Sequence, residues 1–145
     1  MAERARFSHV PPAGHRWLSA WLPVLLLEAL VLFLSSRHHL PMPATIPHLD
    51  KVAHFTEYAL LGWLLRRALA LTLPGGRGAT GIAVLLVVFL GAGDELFQGT
   101  VVGRDSSPWD WLGDLLGGAT GAVVARLVAW RRAGAAPAGG DAERA

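Results

Sequence analysis

The chain has 145 residues, of which 52% are hydrophobic and only 17% charged, and its formal net charge is +2. A soluble domain carries about 25% charged residues, and here the apolar residues come in long blocks, which argues against intrinsic disorder, a secreted disulfide scaffold and an ordinary soluble enzyme. Cysteine is absent, so thiolate catalysis, disulfides and thiolate metal sites are excluded.

Four apolar stretches follow one another, over residues 17–36, 52–73, 80–98 and 111–130. Each is close to the ~20 residues that a helix needs to cross ~30 Å of hydrocarbon. A segment in lipid must satisfy its own backbone, which favours helices, and period-2 alternation is missing, which argues against a barrel. The predicted fold is all-α: an integral membrane four-helix transmembrane bundle with short loops. The division expected is an N-terminal segment over 1–16, a membrane domain over 17–132 and a small, polar, disordered tail over 133–145.

The first stretch has a basic leader but carries Glu28, and the SSRHH that follows does not resemble a small-x-small cleavage site. It reads as an uncleaved helix. Pro23 is expected to kink it, and Trp17 and Trp21 fit an aromatic belt. Glu28 lies near its middle, where a carboxylate is expected to be protonated or paired. The second stretch follows a His- and Pro-rich loop and begins with Asp50, Lys51, His54, Glu57 and Tyr58. The turn over 74–79, PGGRGA, leads into the third, which ends in Asp94, Glu95 and Gln98. A loop with Arg104 and Asp105 leads into the fourth, which opens with Asp110 and Asp114.

Orientation follows from the 13 Lys and Arg residues. Arg4, Arg6, Arg16, Arg66, Arg67, Arg77, Arg126, Arg131, Arg132 and Arg144 fall on one side, and only Arg37, Lys51 and Arg104 on the other. The positive-inside rule puts both termini in the cytoplasm of a bacterial inner membrane. Arg66, Arg67 and Arg126 lie inside their spans but near the cytoplasmic ends, where they can snorkel.

That topology gathers the unusual polar residues at the outer face. At about 100° per residue, His54 and Tyr58 share one face with Glu57 beside them, Asp94 shares a face with Gln98, and Asp110, Asp114, Gly117 and Gly121 form a stripe. Gly117 and Gly121 make a GxxxG, which lets another helix pack close. Two plainer readings compete. Asp50 and Asp110 are placed as N-terminal helix caps, and His54, Glu95 and Gln98 could be an interhelical hydrogen-bond set that only holds the bundle together.

Taken together these residues resemble the VanZ-like membrane proteins. The resemblance rests on Leu34-Ser35-Ser36, Asp50-Lys51-x-x-His54-Phe55-x-x-Tyr58, Asp94-Glu95-x-x-Gln98, Gly103-Arg104, Ser107, and Asp110 with Asp114, Gly117 and Gly121, over roughly residues 20–130. Asp114 stands where the family usually has Asn, which turns a neutral amide into an acid and adds a metal or proton ligand. The resemblance implies a small multi-span protein of the bacterial cell envelope that contributes to tolerance of teicoplanin-type glycopeptides. It implies no reaction.

Three functions are compatible with these residues. In an enzyme acting on lipid phosphate or a wall precursor, His54, Glu95 and Asp94 are the catalytic candidates, with His54 as general base backed by Glu57 or Asp50. Neither G-x-S-x-G nor HExxH is present, and Ser106 and Ser107 have no evident partner. In a binding module, Asp50, Lys51, Tyr58, Gln98, Arg104, Asp110 and Asp114 would grip a lipid-linked or amphipathic molecule, with Arg104 as a fork for phosphate or carboxylate. In a small proton-coupled transporter, Glu28 would titrate. No cofactor motif is present, although Asp94, Glu95 and Asp110 could hold a divalent cation through oxygen ligands. The expected partners are membrane lipids and further copies of the chain, with no role for nucleic acid.

Overall fold

The computed structural model describes residues 13–37, 48–76 and 78–135, which form four helices and no strand. The leader Arg residues, the His- and Pro-rich stretch over 38–47, Arg77 and the tail from 136 lie outside the described residues. Helix α1 spans Ala13–Ser35, α2 Leu49–Thr72, α3 Ala79–Gln98 and α4 Pro108–Gly134. Pro23 sits inside α1 without ending it. Helix α4 starts three residues before the apolar run because Pro108 takes the first helical position, where its missing N–H costs nothing. The turn between α2 and α3 depends on left-handed backbone at Gly75, Gly76 and Gly78, with φ of 66°, 58° and 77°, a conformation that glycine adopts without steric cost.

By length and composition, α1, α3 and α4 can cross a membrane. Helix α2 has the expected length of 24 residues, but it carries Asp50, Lys51, Glu57, Arg66 and Arg67 and is less apolar than the other three. Its packing explains the difference. Helix α2 lies against all three of the others, most extensively against α4, so less of its surface has to be apolar. Tyr58, Leu61 and Leu65 of α2 are buried among Val31 of α1, Ala83 and Val87 of α3 and Ala122 of α4.

Glycines set the separation between α2 and α4. A Cβ on Gly117 would collide with the backbone of Phe55, one on Gly121 with that of Ala59, and one on Gly62 with that of Gly118. The expected GxxxG seam is therefore a backbone-to-backbone contact, as close packing of membrane helices requires.

The polarity of the bundle is inverted relative to a protein in water. Leu26, Phe89, Leu96 and Trp130 are more than half exposed, whereas Asp94, Glu95, Gln98 and Asp114 are at most 5% exposed. Apolar residues outside and acids inside suit a lipid solvent, which charges its full penalty to acids facing outward.

Candidate functional site

One end of the bundle brings together the end of α1, the start of α2, the end of α3 and the start of α4. The polar side chains there fall into three connected groups.

The first group lies between α1 and α3. Ser35 Oγ donates to Asp94 Oδ2 at 3.0 Å, and Gln98 Nε2 donates to the same oxygen at 3.0 Å and to Ser35 Oγ at 3.2 Å. Arg104 Nη2 donates to Gln98 Oε1 at 2.9 Å. The Asp94–Gln98 bond is one helical turn long, which puts both residues on the same face of α3. Gln98 thus relays between a buried acid and the loop guanidinium.

The second group joins α2 to α4. His54 Nδ1 lies 2.9 Å from Asp114 Oδ1. Asp114 is fully buried and its other oxygen has no hydrogen-bond partner. It fits beside Gly91 of α3, where a Cβ would press on Asp114 and Trp111. Trp111 Nε1 in turn donates to the Val88 carbonyl at 3.2 Å. Glu95 Oε2 accepts from the backbone N–H of Ser107 at 2.6 Å, while Oε1 is buried and unpartnered. A carboxylate of α3 therefore meets an N–H at the start of α4, where the helix dipole favours negative charge.

The third group is at the mouth, ahead of the apolar part of α2. Lys51 Nζ lies 2.8 Å from Asp110 Oδ1 and 2.9 Å from Asp50 Oδ2. The bonds to Asp110 and Asp50 raise the Lys51 ammonium above the usual lysine range, and the bond to Lys51 holds Asp50 below the usual carboxylate range. The expected capping role is not what is seen. Helix α2 is capped by His48 and α4 by Ser107, neither through its side chain, and Asp50 and Asp110 lie inside the first turns.

These groups surround a cavity of about 370 Å³ whose lining includes Ser35, Lys51, His54, Glu57, Gln98 and Arg104 together with Asp50, Asp105 and Asp110. A mainly apolar groove of about 320 Å³ runs beside it past Leu96, Pro108 and Trp111, and Ser107 borders both. Tyr58 is wholly buried below, its hydroxyl unpartnered. Glu28 is half-buried in α1, with one carboxyl oxygen enclosed and unpartnered.

The sequence placed most of these residues at one end of the chain's helices, but several pairings differ. Asp114, and not Asp50 or Glu57, stands behind His54. Asp110 is turned to Lys51 and Asp94 to Ser35 and Gln98, so the expected oxygen set of Asp94, Glu95 and Asp110 is divided among three groups. The donor atoms that gather within 4.8 Å of one another belong to His54, Glu95 and Asp114. Ser35 lies in the motif behind the resemblance but outside the expected site residues, because a serine at the end of an apolar run gives no periodic signal. Trp111, which the sequence marks only as the start of the fourth apolar stretch, ties α4 to α3 through Val88.

At the opposite end, Arg66, Arg67 and Arg132 border one cavity, Arg66 and Arg126 another, and Arg16 lies beside Leu71 and Thr72. The Arg-rich and acid-rich ends of the bundle are thus separate.

No curated protein and no solved structure matches the chain. A family model described as VanZ/LLP1 matches residues 11–129, a stretch that includes every polar group of this site, and the chain belongs to the VanZ/LLP1 family.

Proposed function

We propose that the chain is a multi-pass protein of the bacterial inner membrane, with four spans and both termini in the cytoplasm. Its acid-rich cavity faces outward and holds the polar head of a lipid-linked or amphipathic envelope molecule. The family name adds glycopeptide tolerance as the physiological setting of this reading. The observation that carries it is the junction at Ser107 between the polar cavity and the apolar groove. A head bearing phosphate or carboxylate finds Arg104 and Lys51 in the cavity, and an acyl or prenyl tail finds Leu96, Pro108 and Trp111 beside it. Arg104 spends its hydrogen bond on a neutral amide rather than on an acid, which leaves its positive charge for a ligand.

The experiment titrates the full-length protein in nanodiscs with a polyprenyl phosphate, with phosphatidylethanolamine as comparison. The expected result is saturable binding of the polyprenyl phosphate that is weakened by Arg104→Gln and Lys51→Met. Affinity in both variants equal to that of the native chain would overturn the reading. Topology is tested separately. The chain has no cysteine, so a single cysteine at position 104 can be challenged on intact cells with an impermeant maleimide. Labelling is expected, and protection until the membrane is opened would reverse the orientation.

A further inference from the structure

We propose that His54, Glu95 and Asp114 form a binding site for one divalent transition-metal ion of the Zn²⁺ type. The site is independent of what the cavity above it holds.

Three observations converge on it. The first is geometric. One donor atom from each residue lies within 4.8 Å of the other two, and an ion with metal–ligand bonds of about 2.0–2.2 Å reaches all three after small side-chain rotations. The second is the state of the carboxylates. Glu95 and Asp114 are 5% and 0% exposed, and each keeps one buried oxygen, Oε1 and Oδ2, without a partner. Buried polar atoms are nearly always satisfied, so two open acceptors beside an imidazole point to a cation. The third is charge. Among the described residues no Lys or Arg forms an ion pair with Asp94, Glu95 or Asp114. Lys51 is taken by Asp50 and Asp110, and His54 is the one group paired with Asp114. Three acids buried in a membrane bundle around one imidazole need a compensating positive charge.

The donor set narrows the ion. One imidazole nitrogen with two carboxylates suits Zn²⁺ and its first-row neighbours, whereas Mg²⁺ and Ca²⁺ prefer oxygen throughout. The three ligands come from α2, α3 and α4, so the ion would fasten three helices together, and three protein ligands leave a tetrahedral ion one open position. Asp94 and Tyr58, each with an unpartnered buried oxygen, lie in the same interior.

The test uses the untagged full-length chain in detergent, depleted of metal and dialysed against Zn²⁺, Mg²⁺ or Ca²⁺. The expected result is one Zn²⁺ retained per chain, no stoichiometric Mg²⁺ or Ca²⁺, and a thermal midpoint raised by Zn²⁺. Asp114→Asn, Glu95→Gln and His54→Ala are each expected to weaken retention by at least about tenfold and to abolish the Zn²⁺-dependent rise in midpoint. Asp114→Asn and Glu95→Gln preserve shape, so they carry the test if His54→Ala fails to fold. Co²⁺ in place of Zn²⁺ is expected to give visible absorption bands that Asp114→Asn abolishes. A variant with His38 and His39 replaced by alanine is expected to retain the ion. The proposal is overturned if the native chain retains no ion, if the three variants retain it as the native chain does, or if it is lost with His38 and His39.

Discussion

Gly62 of α2 and Gly118 of α4 meet backbone to backbone, so closely that a Cβ on Gly62 would overlap the carbonyl group of Gly118. Together with Gly117 against Phe55 and Gly121 against Ala59, this contact brings α2 and α4 near enough for His54 to reach Asp114 across the interface. The polar site thus depends on apolar close packing one to two turns deeper in the bundle.

Gly62→Ala and Gly121→Ala are therefore expected to destabilise the bundle by about 1–3 kcal/mol or more, because the obstacle in each case is backbone and cannot rotate away. Gly93→Ala is the matched control. Nothing lies within 4 Å of a Cβ there, and alanine is the better helix former, so stability is expected to hold or rise slightly. Thermal or denaturant unfolding in detergent measures all three. Equal effects at Gly62 and Gly93 would refute the close approach.

Ser35 and Asp94 give a second expectation. Ser35 Oγ donates to an acid that already has one unpartnered oxygen, so Ser35→Ala leaves the carboxylate with Gln98 alone. The expected cost is about 1 kcal/mol. A cycle with Asp94→Asn should show that the two substitutions are not additive. Ser36→Ala is the comparison, since the Ser36 hydroxyl returns to the Phe33 carbonyl within its own helix, and it should change little.

The ion cluster at the mouth predicts a pH dependence. Asp50 is held below its ordinary value by Lys51, so its contribution is present above the unfolded carboxylate value and is lost as pH falls through the depressed one. Lys51 is raised by Asp110 and Asp50. Its contribution is present below the ordinary lysine value and is lost as pH rises through the raised one. The stability difference between the native chain and Lys51→Met should therefore be level across neutral pH and shrink at both extremes. Asp50 is half exposed, so Asp50→Asn should have a small effect that salt screens further. Lys51→Met leaves the mostly buried Asp110 unpaired and should cost more. Unfolding as a function of pH and salt checks both.

Much of this site was legible in the sequence because helical spacing is local. The stripe of Asp110, Asp114, Gly117 and Gly121 follows from rotation per residue alone, and all four residues lie against α2 as that stripe implies, Asp110 and Asp114 through Lys51 and His54, Gly117 and Gly121 against the backbone of Phe55 and Ala59. Pairing across helices is not local. Spacing offered Asp50 and Glu57 as partners for His54 because they are its neighbours in the chain, whereas the depth at which α2 and α4 touch selects Asp114. That depth is set by Gly62 meeting Gly118, and a lone glycine in an apolar run does not reveal which backbone will face it. Ser35 belongs to the motif behind the resemblance, but spacing gives it no partner for a similar reason, since its hydrogen bonds are to Asp94 and Gln98 of α3.

Gln98 supplies the last prediction. Its side chain is almost fully buried, with the amide nitrogen on Ser35 and Asp94 and the oxygen on Arg104. As a neutral relay it orients the guanidinium without cancelling its charge. Gln98→Glu would put a carboxylate 2.9 Å from Arg104 Nη2 if the side chain kept its place. Arg104 would then be paired within the protein, and a ligand phosphate would have to compete with that pair. Affinity for a polyprenyl phosphate is expected to fall by about tenfold, the equivalent of about 1.4 kcal/mol. Arg104→Lys retains a charge but loses the planar fork, so its affinity should fall less than that of Arg104→Gln. Titration in nanodiscs ranks the variants. If Gln98→Glu binds as the native chain does, the anionic head is held by Lys51 at the mouth and not by Arg104.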